Sequence, residues 1–131
     1  MKNANIRVVE ELSLLLKQME RIRESFRLQK EEALAESDLK ELHNLRELSR
    51  TKYQPKLRDI FRYVRKLSCT IKLDEPGREE AEDLLINAEN VFRELQAHLI
   101  SVPNRLIRVF KSGGINPNLN SNLESDSSQQ D

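Results

Sequence analysis

The spacing of the apolar residues is the feature that most constrains how this chain folds. In the first third of the sequence these residues recur at alternating steps of four and three, and neither glycine nor proline occurs before residue 55. This is the heptad pattern of a helix that packs lengthwise against another helix. It predicts a first helix from about Asn5 to about Ala35. Its apolar residues, here called the first seam, are Val8, Leu12, Leu15, Met19, Ile22 and Phe26.

A similar pattern follows a Pro-Gly pair in the last third of the chain. Acidic residues at positions 79, 80, 82 and 83 favour a helix N-terminus because they complement the helix dipole. The run Ser112-Gly113-Gly114 offers a C-terminal cap after Lys111. We therefore expect another helix that ends at Lys111. Its apolar residues, the last seam, are Leu85, Ala88, Phe92, Leu95, Leu99, Val102, Leu106 and Val109.

Capping and turn residues mark a middle helix between the two seams. Asp38, with Glu41 three residues later, has the spacing of a helix N-terminal capping box. The segment Leu73–Gly77 is rich in turn-forming residues, and Asp74 is a candidate cap for the helix that follows. These signals predict a middle helix over about residues 39–72.

Two prolines lie inside the predicted helices. Pro55 and Pro103 each lack a backbone N–H and clash with the preceding turn, so we expect a kink or short break at both. The predicted fold is all-α: an elongated, antiparallel three-helix bundle or coiled coil over residues 1–112, or four helices if the prolines break them. Residues 113–131 contain almost no apolar side chains, which predicts a disordered tail.

Composition limits the size of the core and the expected location. Charged residues make up 34% of the chain and aromatic residues only 5%, so a core built by this chain alone would be thin. A partner protein or self-association through the two seams is therefore expected.

The single cysteine, Cys69, excludes an internal disulfide and is expected beside the core. Because the longest apolar run is Leu14–Leu16, we expect no membrane span and a soluble, cytoplasmic protein.

Charge is strongly sorted along the chain, although the net charge is zero. Residues 46–73 hold nine Lys or Arg against two acids, a local charge of +7, and residues 74–104 hold eight acids against two Arg, a local charge of −6. On a helical wheel, five cations of the first segment cluster opposite its apolar residues. We call them the basic face: Arg58, Arg62, Arg65, Lys66 and Lys72.

The basic face has two interpretations. In the first, the basic helix and the acidic helix after it form an antiparallel hairpin, and their flanking charges pair across the interface. In the second, the basic face lies too far from the apolar residues to be neutralised there, and it binds phosphates of nucleic acid, anionic lipid or an acidic partner. Few aromatic residues accompany the cations, which gives little support to base stacking.

Candidate catalytic residues are sparse. His43 has only Glu47 at a spacing that could share a metal ion. Arg93 and His98 have the Arg-x4-His spacing and so resemble HEPN-type ribonucleases, a family of small all-α dimers. Five helical residues, however, place the two side chains about 140° apart, and the acidic Glu94 directly follows the arginine. We predict that the chain is not an enzyme and needs no metal or cofactor.

One short segment resembles a known family. Residues 99–107, Leu-Ile-Ser-Val-Pro-Asn-Arg-Leu-Ile, are similar to the L-x-x-[LIV]-P-x-R-[LV] segment of some phage terminase small subunits. This resemblance, over nine residues, implies an oligomeric helical protein that binds viral DNA. The residue patterns as a whole favour a non-catalytic adaptor or structural module that self-associates or pairs with a partner helix. The alternative is a nucleic-acid-binding subunit that uses the basic face.

Overall fold

The computed structural model describes residues 3–113, and over that range the chain is all-α, as predicted. The tail is predicted from residue 113, but Gly113 is the last residue of α4, and residues 114–131 lie outside the described residues. Five residues in a π-helical turn, Ser49–Tyr53, connect the second and third α-helices without a break. The α-helices are α1 (Ala4–Glu36), α2 (Leu39–Leu48), α3 (Gln54–Ser68) and α4 (Arg78–Gly113).

The helices form three long rods in an up-down-up bundle. Asn5, at the start of α1, contacts the loop that precedes α4, and Phe26 contacts His98 further along both helices. Thus α1 and α4 run in the same direction, and the rod made of α2 and α3 runs in the opposite direction between the same ends. With 33 residues, α1 is about 50 Å long. The predicted three-helix bundle is confirmed.

Local capping determines where α1 ends and α2 begins. Ser37 adopts a left-handed conformation with φ of 51°, and its backbone N–H donates to the carbonyl of Leu34. Asp38 then caps α2, because its carboxylate accepts a hydrogen bond from the N–H of Lys40 at 3.0 Å. The chain therefore reverses direction within two residues. The helix start predicted at Asp38 is confirmed.

The core lies along the centre of the three rods. All six residues of the first seam are buried, whereas three residues of the last seam are only half-buried: Leu85, Val102 and Val109. Leu85 lies level with the end of α3, by the register that the stacking of Phe61 on Phe92 sets. The fully enclosed positions of α4 also include Ala81, Pro103 and Ile107. The predicted seam is therefore corrected, because α4 packs against two rods at once.

The irregularity predicted at Pro55 is present as the π turn. Core residues of the middle rod recur at 45, 49, 53 and 57, and each step of four advances an α-helical stripe by about 40°. A π turn contains more residues per turn, so it absorbs this drift and keeps Ser49 and Tyr53 buried. Pro55 lies in the first turn of α3, where a missing N–H is tolerated.

At Pro103 the helix is not broken, because α4 continues through it. Its missing N–H deprives the carbonyl of Leu99 of the usual helical donor. The hydroxyl of Ser49 supplies the replacement at 2.7 Å, and Gln54 in turn donates to that hydroxyl at 3.1 Å. Ser49 is completely buried. Of the two alternatives expected at Pro103, the break is wrong, because a neighbouring rod supplies the donor that the Leu99 carbonyl lacks.

The connection between α3 and α4 is longer than predicted. α3 ends at Ser68 rather than near residue 72, and α4 begins at Arg78, so Asp74 lies too early to cap it. The side chain of Asn5, completely buried, holds this loop. Its Oδ1 accepts from the N–H of Lys72 at 2.7 Å, and its Nδ2 lies 2.8–3.2 Å from the carbonyl oxygens of three loop residues: Lys72, Glu75 and Pro76.

Removing the Ser49 hydroxyl should destabilise the bundle by about 1–3 kcal/mol, because the buried Leu99 carbonyl loses its donor. Pro103→Ala restores a backbone donor, so Ser49→Ala should cost less in that background, by about 1 kcal/mol. Chemical denaturation of the two single variants and the double variant tests this. Ser13→Ala is the control, since Ser13 bonds a helical carbonyl that retains its own N–H donor, and its stability should hardly change. Equal costs in both backgrounds would contradict the account.

Replacing Asn5 should release the loop that it holds. We expect Asn5→Ala to cost about 2–4 kcal/mol in unfolding free energy, because several buried loop groups lose their partner. Asn5→Asp should be at least as harmful, since a carboxylate cannot donate to carbonyl oxygens. Hydrogen exchange of the Lys72 amide should accelerate in both variants. Asn90→Ala, at an exposed position of α4, is the matched control.

Candidate interaction surface

The basic face is exposed along its whole length. Four of its cations, Arg58, Arg62, Arg65 and Lys66, lie on the outer side of α3, and the first and last are separated by about 12 Å along the helix axis. The fifth, Lys72, belongs to the following loop rather than to the helix as predicted. Its backbone is nevertheless held by Asn5, so its position relative to α3 is defined.

Burial of the opposite side of α3 directs the basic face outward. Ile60 and Val64 are 5% and 1% exposed, and both belong to the core. On the side of α3 toward α4, Phe61 stacks on Phe92 with ring centroids 4.0 Å apart. The guanidinium of Arg65 lies over the Phe61 ring, 5.8 Å from its centroid. The apolar contacts thus hold α3 in one rotational orientation, and the cations point to solvent.

Most cations of the basic face are not neutralised. Arg62 pairs with Asp59 of the same helix at 3.1 Å, and both side chains are more than 70% exposed. Across residues 3–113, neither Arg58 nor Lys66 nor Lys72 has an acid within ion-pairing distance. α1 differs, because its Arg27 contacts two carboxylates of the same helix. The positive potential of α3 therefore remains available at the surface.

The hairpin of α3 and α4 forms without charge pairing between its two helices. Among the described residues, no cation of α3 comes within 4 Å of an acid of α4. The acidic first turns of α4 contain one local pair, Arg78 with Glu82 at 3.3 Å. Apolar side chains and ring stacking hold the two helices together. The predicted ion pairs across the interface are therefore not present.

Aromatic side chains near the basic face are already engaged. Tyr53 is buried against Phe26, and Phe61 is covered by Phe92. Tyr63 is partly exposed, but its hydroxyl donates to the carboxylate of Glu11 on α1 at 2.8 Å. That hydrogen bond and the negative charge of Glu11 raise the pKa of Tyr63. The surface therefore presents cations with little free aromatic area.

The seam residues pack against each other within one chain. Eleven of the fourteen seam residues are buried and the other three are half-buried. A contact with another protein through the seams would require the bundle to open. Any assembly of the folded chain must therefore use the outer surfaces of the helices. Sequence patterning could not reveal this, because a heptad seam has the same appearance whether its partner helix is in the same chain or another.

The candidate catalytic residues lie apart. Arg93 and His98 are both exposed, and the ring of His98 also packs edge-on against Phe26 with centroids 5.5 Å apart. His43 lies in α2, and its Nδ1 is 3.2 Å from the guanidinium of Arg46. Over the described residues no three His, Cys, Asp or Glu side chains form a group that could hold a metal ion. Cys69 is exposed, contrary to the prediction, because α3 ends just before it.

The segment that resembles terminase small subunits is part of the core. Leu99, Pro103 and Leu106 are buried in α4, and the Leu99 carbonyl binds Ser49. Packing therefore explains the apolar residues of this segment.

In the described part of the chain, no helix has both the length and the apolar character required to cross a bilayer. Comparison of the sequence and the structure with protein-family models, curated proteins and solved structures finds no match.

The exposed cations should contribute little to folding. Replacing Arg58, Arg62 and Arg65 together with glutamine should change the unfolding free energy by less than about 1 kcal/mol, because no inter-helix pair is lost. Denaturant titration measures the change. Ile60→Ala, on the buried side of the same helix, should cost about 2–5 kcal/mol and calibrates the assay. A loss above about 2 kcal/mol in the triple variant would show that these charges support the hairpin.

Proposed function

We propose that this chain is a non-catalytic protein–protein interaction module that binds an acidic protein surface through the basic face of α3. The proposal rests on one observation above all: the five cations are exposed, and no acid of the neighbouring α4 lies within ion-pairing distance. A rigid row of cations that no acid of another helix neutralises attracts a complementary negative surface and restricts the orientation in which it binds.

A protein partner suits this surface better than a nucleic acid. Duplex DNA carries one charge per about 1.7 Å of axis and would extend beyond the 12 Å row of cations. An extended polyanion would also be repelled by the segment 74–104, which carries a local charge of −6. The engaged aromatic rings also leave little surface for stacking on single-stranded bases. A compact acidic patch on a protein avoids these costs.

The histidines give no support to a catalytic role. His98 packs against Phe26, and His43 contacts Arg46 in a different rod. General acid–base chemistry requires groups that converge on one reacting atom. Arg93 and His98 diverge around α4, since they are five residues apart on one helix. This divergence supports a non-catalytic role for the two residues.

Charge reversal combined with cross-linking tests the proposed function. The immobilised full-length chain is incubated with cell extract, and cross-linked peptides are identified by mass spectrometry. We expect cross-links between Lys66 or Lys72 and acidic segments of the partner. The variant Arg58→Glu, Arg62→Glu, Arg65→Glu should lower the recovery of that partner at least about tenfold, because each contact becomes repulsive.

A second variant serves as the matched control. Reversal of three exposed cations on other surfaces, Lys17, Arg21 and Lys40, changes the net charge equally and should leave recovery unchanged. Circular dichroism confirms that both variants remain folded. Equal losses in the two variants would contradict a role for the basic face. Tight binding of a duplex oligonucleotide that weakens steeply with salt and disappears in the first variant would instead favour the nucleic-acid alternative.

A further inference from the structure

The segment that follows α4 is opposite in charge to the middle rod. Residues 114–131, here called the acidic tail, contain three carboxylates, Glu124, Asp126 and Asp131, and no Lys or Arg. Residues 46–73, in contrast, carry a local charge of +7. Both segments belong to one chain, so an acidic ligand is always tethered to the basic face. Its sign of charge is the one that the basic face attracts.

The first outer cations of the middle rod lie within reach of the acidic tail. α4 ends at Gly113, and the middle rod runs antiparallel to α4. The hydrogen bond between Ser49 and Leu99 fixes their register. It places Arg50 about 20 Å from Gly113 along the bundle axis. Arg58, two turns further along the rod, lies about 30 Å from Gly113.

The length of the acidic tail matches these distances. Glu124 follows Gly113 by 11 residues, and Asp131 follows it by 18. A flexible chain would place the two acids at root-mean-square distances of about 18 Å and 23 Å from Gly113. Fully extended, the same stretches would span about 36 Å and 59 Å. The acids can therefore meet the cations from Arg50 to Arg62 without full extension.

These cations can bind further carboxylates. Among residues 3–113, Arg58 has no acid within ion-pairing distance. Arg50 and Arg62 each pair with one acid of the same rod, and all four side chains of these pairs are more than half exposed. A guanidinium carries five N–H donors, so it can bind a second carboxylate. Arg27 of α1 does so, because it contacts two acids at once.

We infer that the acidic tail binds back onto the outer side of the middle rod, where its three acids contact Arg50, Arg58 and Arg62. Exposed ion pairs are individually weak and are screened by salt. The covalent connection offsets this weakness, because it holds the acids at an effective concentration of the order of millimolar. The acidic tail thus covers the Arg58 end of the basic face and yields to a stronger acidic ligand. The inference rests on the proposed function, because it names a competitor for the same surface.

A spin label on Cys69 reports whether the acidic tail is bound. Cys69 is the only cysteine of the chain, is exposed, and directly follows α3. Along the bundle axis it lies about 10 Å from Arg62 but about 40 Å from Gly113. In the full-length chain, amide NMR signals of residues 120–131 should broaden at low salt and recover at high salt. Acids bound to the nearer Lys111 would stay far from the label, so unbroadened signals at low salt would overturn the inference.

Two variants and a control test the pairing. The first variant neutralises the three acids: Glu124→Gln, Asp126→Asn and Asp131→Asn. The second neutralises the three cations: Arg50→Gln, Arg58→Gln and Arg62→Gln. Each should remove the broadening while circular dichroism shows an unchanged helical content. The matched control, which should keep the broadening, neutralises three exposed cations on the outer surface of α1: Arg7→Gln, Lys17→Gln and Arg21→Gln.

The charge of the acidic tail can also be increased. Ser125→Asp, Ser127→Asp and Ser128→Asp together raise the number of acids from three to six. Broadening should then be stronger and should persist to higher salt, because more ion pairs must be screened. Replacement of the same three serines by alanine is the matched control and should change neither property.

A short polyglutamate peptide serves as the acidic probe for competition. Only molecules with a free basic face can bind it, so the apparent dissociation constant rises as the fraction of such molecules falls. Neutralising the three tail acids should therefore lower that constant about two- to tenfold in fluorescence anisotropy. The variant with three added aspartates should bind the probe more weakly than wild type.

The outcomes separate this inference from the proposed function. Broadening that persists in both neutralised variants, or equal affinity for polyglutamate with and without the tail acids, would overturn the inference. The proposed function still stands if reversal of Arg58, Arg62 and Arg65 abolishes binding of the acidic partner. If the signals broaden as expected but the basic face captures no acidic partner, the proposed function fails and the contact of the acidic tail stands.

Discussion

The hydrogen bond from the Ser49 hydroxyl to the Leu99 carbonyl determines how the rods can pack. Pro103 occupies a buried position of α4, and a proline there leaves one carbonyl without its helical donor. That carbonyl lies at the centre of the bundle, where an unsatisfied polar group is costly. The π turn of the middle rod brings Ser49 to it, and Gln54 completes the chain of hydrogen bonds. Two helical irregularities that would each be unfavourable alone thus compensate each other.

The same junction fixes the relative level of the three rods. Near it, Phe26 of α1 meets the rings of Tyr53 and His98, and Ser25 shares a 2.6 Å hydrogen bond with the Tyr53 hydroxyl. At the opposite end, Asn5 binds the loop before α4. Apolar seams alone would allow one helix to shift along its neighbour by seven residues, because one leucine can then occupy the position of another. Directional polar contacts at both ends exclude these shifted registers. They therefore also fix the positions of the charged residues on the outer surfaces of the helices.

A well-defined core has a consequence for function. Because the seam residues pack against each other within the chain, only the outer surfaces of the helices can contact other molecules. Apolar packing and the stacked Phe61 and Phe92 rings hold α3 and α4 together, so their charges are not needed for the hairpin. Those charges remain on the surface, sorted by helix. A surface of this kind suits orientation-dependent binding of a complementary surface, which is the basis of both proposals.

The sequence by itself determined the helices, the first seam, the cap at Asp38 and the separation of charge, because these depend on local spacing and residue type. Only the tertiary structure decided that Pro103 stays inside a continuous helix, that α3 ends before Lys72, and that, among residues 3–113, no cation of α3 pairs with an acid of α4. Each depends on a residue distant in sequence: Ser49 supplies a donor, Asn5 binds a loop, and Phe92 covers Phe61. The spacing of residues along one helix does not show which residue of another helix will contact them.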